Sequence, residues 1–370
     1  MSPLTLRGTT FRNRVWLAPM CQYSADGDGV PTDWHLAHLG ARAVGGFGLV
    51  LAEATAVVPE GRISPQDVGL WNDAQVAAWR RITDFVRSRG AAVGVQLAHA
   101  GRKASTYRGF GEGSGTVPAQ DGGWETVGPS ELAFAGYAAP QAMSAEQVAA
   151  VPGQFAAATR RALAAGFDLV EVHAAHGYLL HQFLSPLSNA RTDAWGGSLA
   201  DRARLLLDTV DAVRAELGED RPLLVRVSAT DWTEGGLAVE DVAQVSVWLR
   251  EHGVDLVDVS TGGNVHATIP VGPGYQVPAA QTIRETAGVA TAAVGLITTP
   301  EQAEQVLAEG AADAVLIGRP ALFDPHWPLR AAHALDDKTP VLEHAGDAAA
   351  TVLPAQPAGW APQYARGSWG

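Results

Sequence analysis

The sequence predicts an α/β chain closed into a (β/α)8 TIM barrel, with an N-terminal β-hairpin ahead of it and an extended C-terminal tail behind. Three observations carry that expectation. Short apolar runs alternate about eight times with longer amphipathic or alanine-rich segments. The runs are mostly continuous rather than alternating, which suits parallel strands covered on both faces. A weak internal repeat recurs as well: Ala165–Val172 resembles His252–Val259, and Glu309–Leu316 is a looser third copy. In each copy a glycine ends a helix, a short turn follows, and an apolar strand begins. Units of this kind with no surplus domain favour a closed barrel over an open doubly wound sheet.

Taken in order, the predicted strands are Val15–Met20, Gly48–Ala54, Ala92–Ala98, Asp168–His173, Leu223–Ser228, Leu256–Ser260, Ala290–Val294 and Ala314–Ile317. Helical segments between them include Asp73–Arg89, Ala145–Ala165, Leu199–Leu217, Val239–His252 and Pro300–Glu309. Leu4–Arg14 reads as a hairpin able to plug the bottom of the barrel. Ser105–Ala142, rich in Gly, Pro and Trp, is a long excursion after the third strand, on the side where barrels carry their chemistry. The tail, about 340–370, holds four prolines. The whole of 1–370 is expected to be one domain.

Composition narrows the function. Hydrophobic residues make up 47% and charged residues 18%, enough for a large core. A net charge of −13 disfavours nucleic acid and anionic membrane as partners. The one cysteine, Cys21, rules out internal disulfides and cysteine-ligated clusters. No basic-then-apolar leader is visible, nor any apolar run of about 18 residues. The expectation is a cytoplasmic protein without a membrane span.

In such a barrel, catalytic groups gather at the C-terminal ends of the strands. There the sequence offers Ala18-Pro19-Met20-Cys21-Gln22-Tyr23, then Glu53-Ala54, Gln96 to Lys103, His173-Ala174-Ala175-His176-Gly177-Tyr178, Arg226, Gly295 and Gly318-Arg319. His173 and His176 lack a carboxylate at metal-ligand spacing, and the nucleophile-elbow motif is absent from the strand-to-helix turns. No metal is expected. Hydrogen-bond donors around a space remain, suited to an anionic cofactor and a carbonyl substrate. Gly295 and Gly318-Arg319 stand where barrels often bind phosphate, because glycine admits backbone N–H groups and arginine adds charge.

These segments, with Ser188–Ser198 and Ile317-Gly318-Arg319, resemble the Old Yellow Enzyme family of flavin-dependent ene-reductases, in order from about residue 3 to 330. Cys21, where members outside the subgroup usually carry threonine, and the His173/His176 pair resemble its thermophilic-like subgroup. The resemblance implies FMN as cofactor and NADPH as reductant. It places Ala18, Pro19, Met20, Cys21 and Ala54 beside the isoalloxazine, Gln96 at its pyrimidine edge and Arg226 near N1 and O2. Gly295, Gly318 and Arg319 would hold the phosphate. His173 and His176 would bind the carbonyl of a small activated alkene, with Tyr23 facing it and Tyr178 delivering the α-proton. Arg366 would reach a neighbouring active site in a homodimer or homotetramer. Other FMN barrels acting on orotate or hydroxy acids, a flavin-binding protein without turnover and a cofactor-free aldolase remain alternatives.

Overall fold

The computed structural model describes residues 2–335 together with Ala361 and Tyr364. Its centre is a closed, all-parallel barrel of β1 (Val15–Leu17), β2 (Leu49–Ala56), β3 (Ala92–Ala98), β4 (Leu169–Ala174), β5 (Leu223–Ser228), β6 (Leu256–Ser260), β7 (Ala290–Ala293) and β8 (Ala314–Ile317), each bonded to the next and β8 to β1. Around it run α1 (Asp33–Val44), α2 (Asp73–Ser88), α3 (Ala145–Ala164), α4 (Leu199–Leu217), α5 (Val239–Glu251), α6 (Val277–Ala287), α7 (Pro300–Ala308) and α8 (Trp327–Ala334). The predicted fold class is therefore the observed one. The tail and Arg366 lie outside the described residues. Among the described residues no helix is long and apolar enough to cross a membrane.

The internal repeat has a physical cause. Its aspartate opens β4, β6 and β8 and clamps the start of the preceding strand. Asp255 N–H donates to Leu223 O at 2.9 Å while its Oδ2 accepts from Leu223 N at 2.8 Å. Asp168 treats Val93 in the same way, and Asp313 treats Thr291. Each aspartate also meets an arginine from the helix entering the clamped strand: Arg87 on α2, Arg214 on α4 and Arg284 on α6. The carboxylate thus satisfies a strand N–H at the rim and ties helix to sheet.

The hairpin of Leu4–Leu6 and Thr9–Phe11 closes the N-terminal end. Leu6 and Phe11 enter the lumen beside Trp16, Leu49, Leu51, Leu169, Leu224 and Leu256, with the Phe11 and Trp16 rings 4.7 Å apart. At the other end β1 is shorter than its apolar run. Ala18 N makes a last bond to Ile317 O, and Pro19 has no N–H to continue the ladder. β2 ends two residues later than predicted, with a bulge between Ala52 and Ala54.

Asp255→Ala removes the Leu223 clamp and two arginine contacts, through Arg7 and Arg214. It is expected to lower unfolding free energy by about 2–3 kcal/mol, since bonds to charged groups are the strong ones. Chemical denaturation reads this directly; a loss under about 0.5 kcal/mol, the range of an ordinary surface change, would refute the clamp.

Candidate active site

Because side chains alternate along a strand, every second residue faces the lumen. β4 contributes Leu169, Glu171 and His173, β5 contributes Leu224, Arg226 and Ser228, and β6 contributes Leu256, Asp258 and Ser260. The leucines join the plug. Above them lies a buried charged layer: Gln96 Nε2 donates to Glu171 Oε1 at 2.7 Å, and Arg226 Nε stands 3.1 Å from Asp258 Oδ2. Arg226 also donates to Ser260 Oγ at 2.8 Å. Burial, with Asp258 adding repulsion, pushes the Glu171 carboxyl up to about 8 against the pull of Arg226. Asp258 is raised to about 6, chiefly by burial.

At the mouth, His173 and His176 stand with ring centroids 5.2 Å apart, and Tyr178 lies 5.0 Å from His173. Ala175 N donates to His173 Nδ1, so the proton of that neutral ring sits on Nε2, which faces His176 Nδ1 at 3.4 Å. The second ring then carries its own proton on Nε2. Burial and then Arg226 hold both imidazoles well below their ordinary value. Tyr178 is raised well above 10, first by burial. Lys103 is lowered to about 8 by burial, donates to His176 O and Gly263 O, and lies 5.1 Å over the Tyr178 ring.

The turn that presents these groups is held from behind. His176 has φ of 58° and Gly177 73°, and a Cβ on Gly177 would sit 2.3 Å from Gly263 O, so only glycine fits there. Gly177 N donates to His181 Nδ1, which leaves the other ring nitrogen, Nε2, 3.1 Å from Asp231 Oδ1. Asp231 Oδ2 accepts from Ser185 Oγ and Leu237 N. Burial alone would raise Asp231, but His181 and these donors outweigh it and lower its pKa.

The end of β1 is held in a similar way. The bulge aims Glu53 so that Oε2 takes Gln22 N at 2.7 Å and Oε1 meets His35 Nε2 at 3.2 Å, while His35 Nδ1 accepts from Thr32 N. Cys21 packs with Tyr178 against Ala54, Ile63, Ala98, Ala100 and Ala104. Burial, then Asp67 and Glu53, keep its thiol protonated, which opposes a thiolate nucleophile. Tyr23, with φ of 51°, meets Phe110 of the long excursion edge-on at 6.0 Å.

Beyond β7 and β8 stand Gly295 (φ 117°) and Gly318. A Cβ built on Gly318 would come no closer than 3.7 Å to Met20 Sδ and 3.9 Å to Ala18 Cβ, ordinary van der Waals contacts that leave the backbone uncrowded. Arg319 is exposed and makes no hydrogen bond or ion pair among the described residues. The donor set fits a flavin mononucleotide: a fixed buried cation, an amide with one edge committed, and a separate free guanidinium beside uncrowded glycine backbone. Of the expected site residues, Gln96 and Arg226 stand one layer below the mouth, inside β3 and β5; the others, except Arg366, stand at or just beyond the strand ends. Sequence reasoning passed over Glu171, Asp258, His35, His181 and Asp231, and gave Glu53 no role. For the first two a signal existed, since they fill matching places in the internal repeat.

Comparison with known proteins agrees. A family model described as the NADH:flavin oxidoreductase / NADH oxidase family matches residues 1–338. The NADPH dehydrogenase of Listeria innocua serovar 6a is 47% identical over 338 residues, 91% of this chain and 95% of that protein. Morphinone reductase in complex with tetrahydroNAD superposes with a TM-score of 0.76 at 27% identity, over 90% of each chain. An old yellow enzyme homologue from Zymomonas mobilis gives 0.75 at 28% identity, over 90% of this chain and 92% of the other.

Asp231→Ala leaves His181, Ser185 and Leu237 N without their buried acceptor, and is expected to cost about 3 kcal/mol. The folded pKa of Asp231 is below its unfolded value, so its contribution exists above the ordinary carboxylate range and fades as pH falls through the lowered value. Denaturation across acid pH should therefore show a shallower decline in Asp231→Asn than in the parent; parallel curves would contradict the assignment.

Proposed function

The chain belongs to the NADH:flavin oxidoreductase / NADH oxidase family as an Old Yellow Enzyme-type flavoprotein, and we propose that it is an ene-reductase acting on small alkenes conjugated to a carbonyl or similar group. Its cofactor is FMN and its reductant NADPH. The observation that carries the proposal is the pair of neutral imidazoles beside a protonated tyrosine at the end of β4.

Ala18, Pro19, Met20, Cys21 and Ala54 would border the isoalloxazine. Gln96 and Arg226 would meet its polar edge, and Gly295, Gly318 and Arg319 would hold its phosphate. When bound, FMN would supply the hydride chemistry that links NADPH to the alkene. His176 donates from Nε2 to the substrate's carbonyl oxygen, and His173 turns to that oxygen the Nε2 proton it otherwise directs at His176 Nδ1, drawing charge toward it and leaving the β-carbon electrophilic. Each well-aimed donor is worth about 3–4 kcal/mol in the transition state. Neutral rings suit the role: they donate without surrendering a proton to the oxygen. Tyr178 gives its phenolic proton to the α-carbon and recovers one from solvent, while Tyr23 flanks the substrate. Tyr178 keeps its proton because burial disfavours the phenolate.

The same proposal includes a homodimer or homotetramer in which Arg366 completes a neighbouring site. Its support is the resemblance of Gln363-Tyr364-Ala365-Arg366-Gly367 to the tail of the thermophilic-like subgroup. Deleting residues 364–370 should raise KM for the alkene and weaken assembly; an unchanged KM and oligomeric state would remove this part.

Tyr178→Phe tests the main proposal in rapid-mixing experiments. Reduction by NADPH should stay within about twofold of the parent, while reoxidation by 2-cyclohexen-1-one slows about 10²–10⁴-fold, the usual weight of a general acid. Equal loss in both halves would remove Tyr178 as proton donor. Because both imidazoles remain neutral, kcat/KM for the alkene should show no imidazole ionisation between about pH 6 and 8. An inflection there that vanishes in His176→Ala would contradict the neutral pair.

A further inference from the structure

The charged layer beneath the mouth holds more than the flavin contacts need. Two fully buried carboxylates, Glu171 from β4 and Asp258 from β6, flank the single guanidinium of Arg226 from β5. Glu171 Oε2 and both Asp258 carboxylate oxygens accept no hydrogen bond among the described residues. Polar atoms kept unsatisfied in a close-packed lumen are costly unless they act on something above them. The contacts of this layer lead upward to the two side chains that meet the polar edge, Gln96 and Arg226.

We infer that Glu171 and Asp258 are positioning residues that set the reduction potential of the bound flavin, Glu171 by fixing which edge of the Gln96 amide is presented and Asp258 by holding and partly neutralising Arg226. The inference rests on the placement of Gln96 and Arg226 beside the flavin in the proposed function.

The chemistry is specific. An ionised carboxylate only accepts, so it captures one N–H of Gln96 and leaves the amide oxygen and the second N–H for the ligand. A protonated Glu171 could instead donate to the amide oxygen and reverse what Gln96 presents. Asp258 opposes the cation that would otherwise favour the reduced, more negative flavin. The charged and hydrogen-bonding groups that act on Glu171 are Gln96 from β3, Arg226 from β5 and Asp258 from β6. Its pKa near 8 makes the balance change across the neutral range. As pH rises through that value the layer gains negative charge, and the reduced flavin loses stability relative to the oxidised one.

The test is the midpoint potential of the FMN-loaded protein, measured by anaerobic dye equilibration from about pH 6 to 9. At the alkaline end, Glu171→Gln and Asp258→Asn should each shift the preference toward reduced flavin about tenfold, about 30 mV for a two-electron couple. Between about pH 7 and 9 the Glu171→Gln potential should fall less steeply than the parent's. Either variant decides the matter if the other does not fold. Gln96→Leu separates the two layers of the argument. If it moves the potential or the FMN affinity while neither carboxylate variant does, the inference is overturned and the flavin placement stands. If all three match the parent, the placement of Gln96 falls as well, and the inference with it.

Discussion

A closed parallel barrel leaves the chain one degree of freedom that matters here: which residues of each strand face inward. The period of two makes that choice rigid, because a slip of one residue would exchange the lumen's side chains for those that pack on the helices. In β4, β5 and β6 the inward positions run from leucine through a charged residue to a mouth residue, so the polarity of the lumen rises in one direction only. The plug below and the chemistry above both follow. The aspartate clamps hold strand against strand at the entrance to this ladder, and a loosened clamp would disturb the register on which the site depends.

The ends of the strands carry a second constraint. Among the described residues, five of the six non-glycine residues with positive φ follow C-terminal strand ends: Tyr23, Ser105, His176, Trp232 and Leu296. Such strain persists only where the surroundings over-determine the backbone. Two buried imidazole–carboxylate pairs supply that determination, His35 with Glu53 behind Tyr23 and His181 with Asp231 behind His176. In both, Nδ1 takes a backbone N–H and Nε2 faces the carboxylate. Rigid support of this sort is what a pair of aimed donors requires, since a small misplacement forfeits most of their effect.

Much of this was legible in the residues. Continuous apolar runs marked the strands, and the repeat, Gly-x-Asp in two copies and Gly-x-x-Asp in the third, marked three of the strand starts. The donors at the strand ends stood out because barrels place function there. Less legible were the supports. Glu171 and Asp258 lie inside apolar runs, where a lone acid reads as noise until the inward face is known. His181 and Asp231 are 50 positions apart in the chain. Their meeting depends on the turns after β4 and β5 lying side by side, which no local pattern encodes. β1 ended early for a local reason, Pro19, whereas the bulge in β2 depends on partners for Glu53 that only the folded chain supplies.

In the proposed cycle one mouth receives electrons from NADPH and passes them to an activated alkene. The most direct measurement is the visible spectrum of the purified protein without air, first with NADPH and then with 2-cyclohexen-1-one. The account predicts flavin absorbance that bleaches with NADPH and returns in full with the enone. A flavin that bleaches and stays reduced would contradict the alkene chemistry.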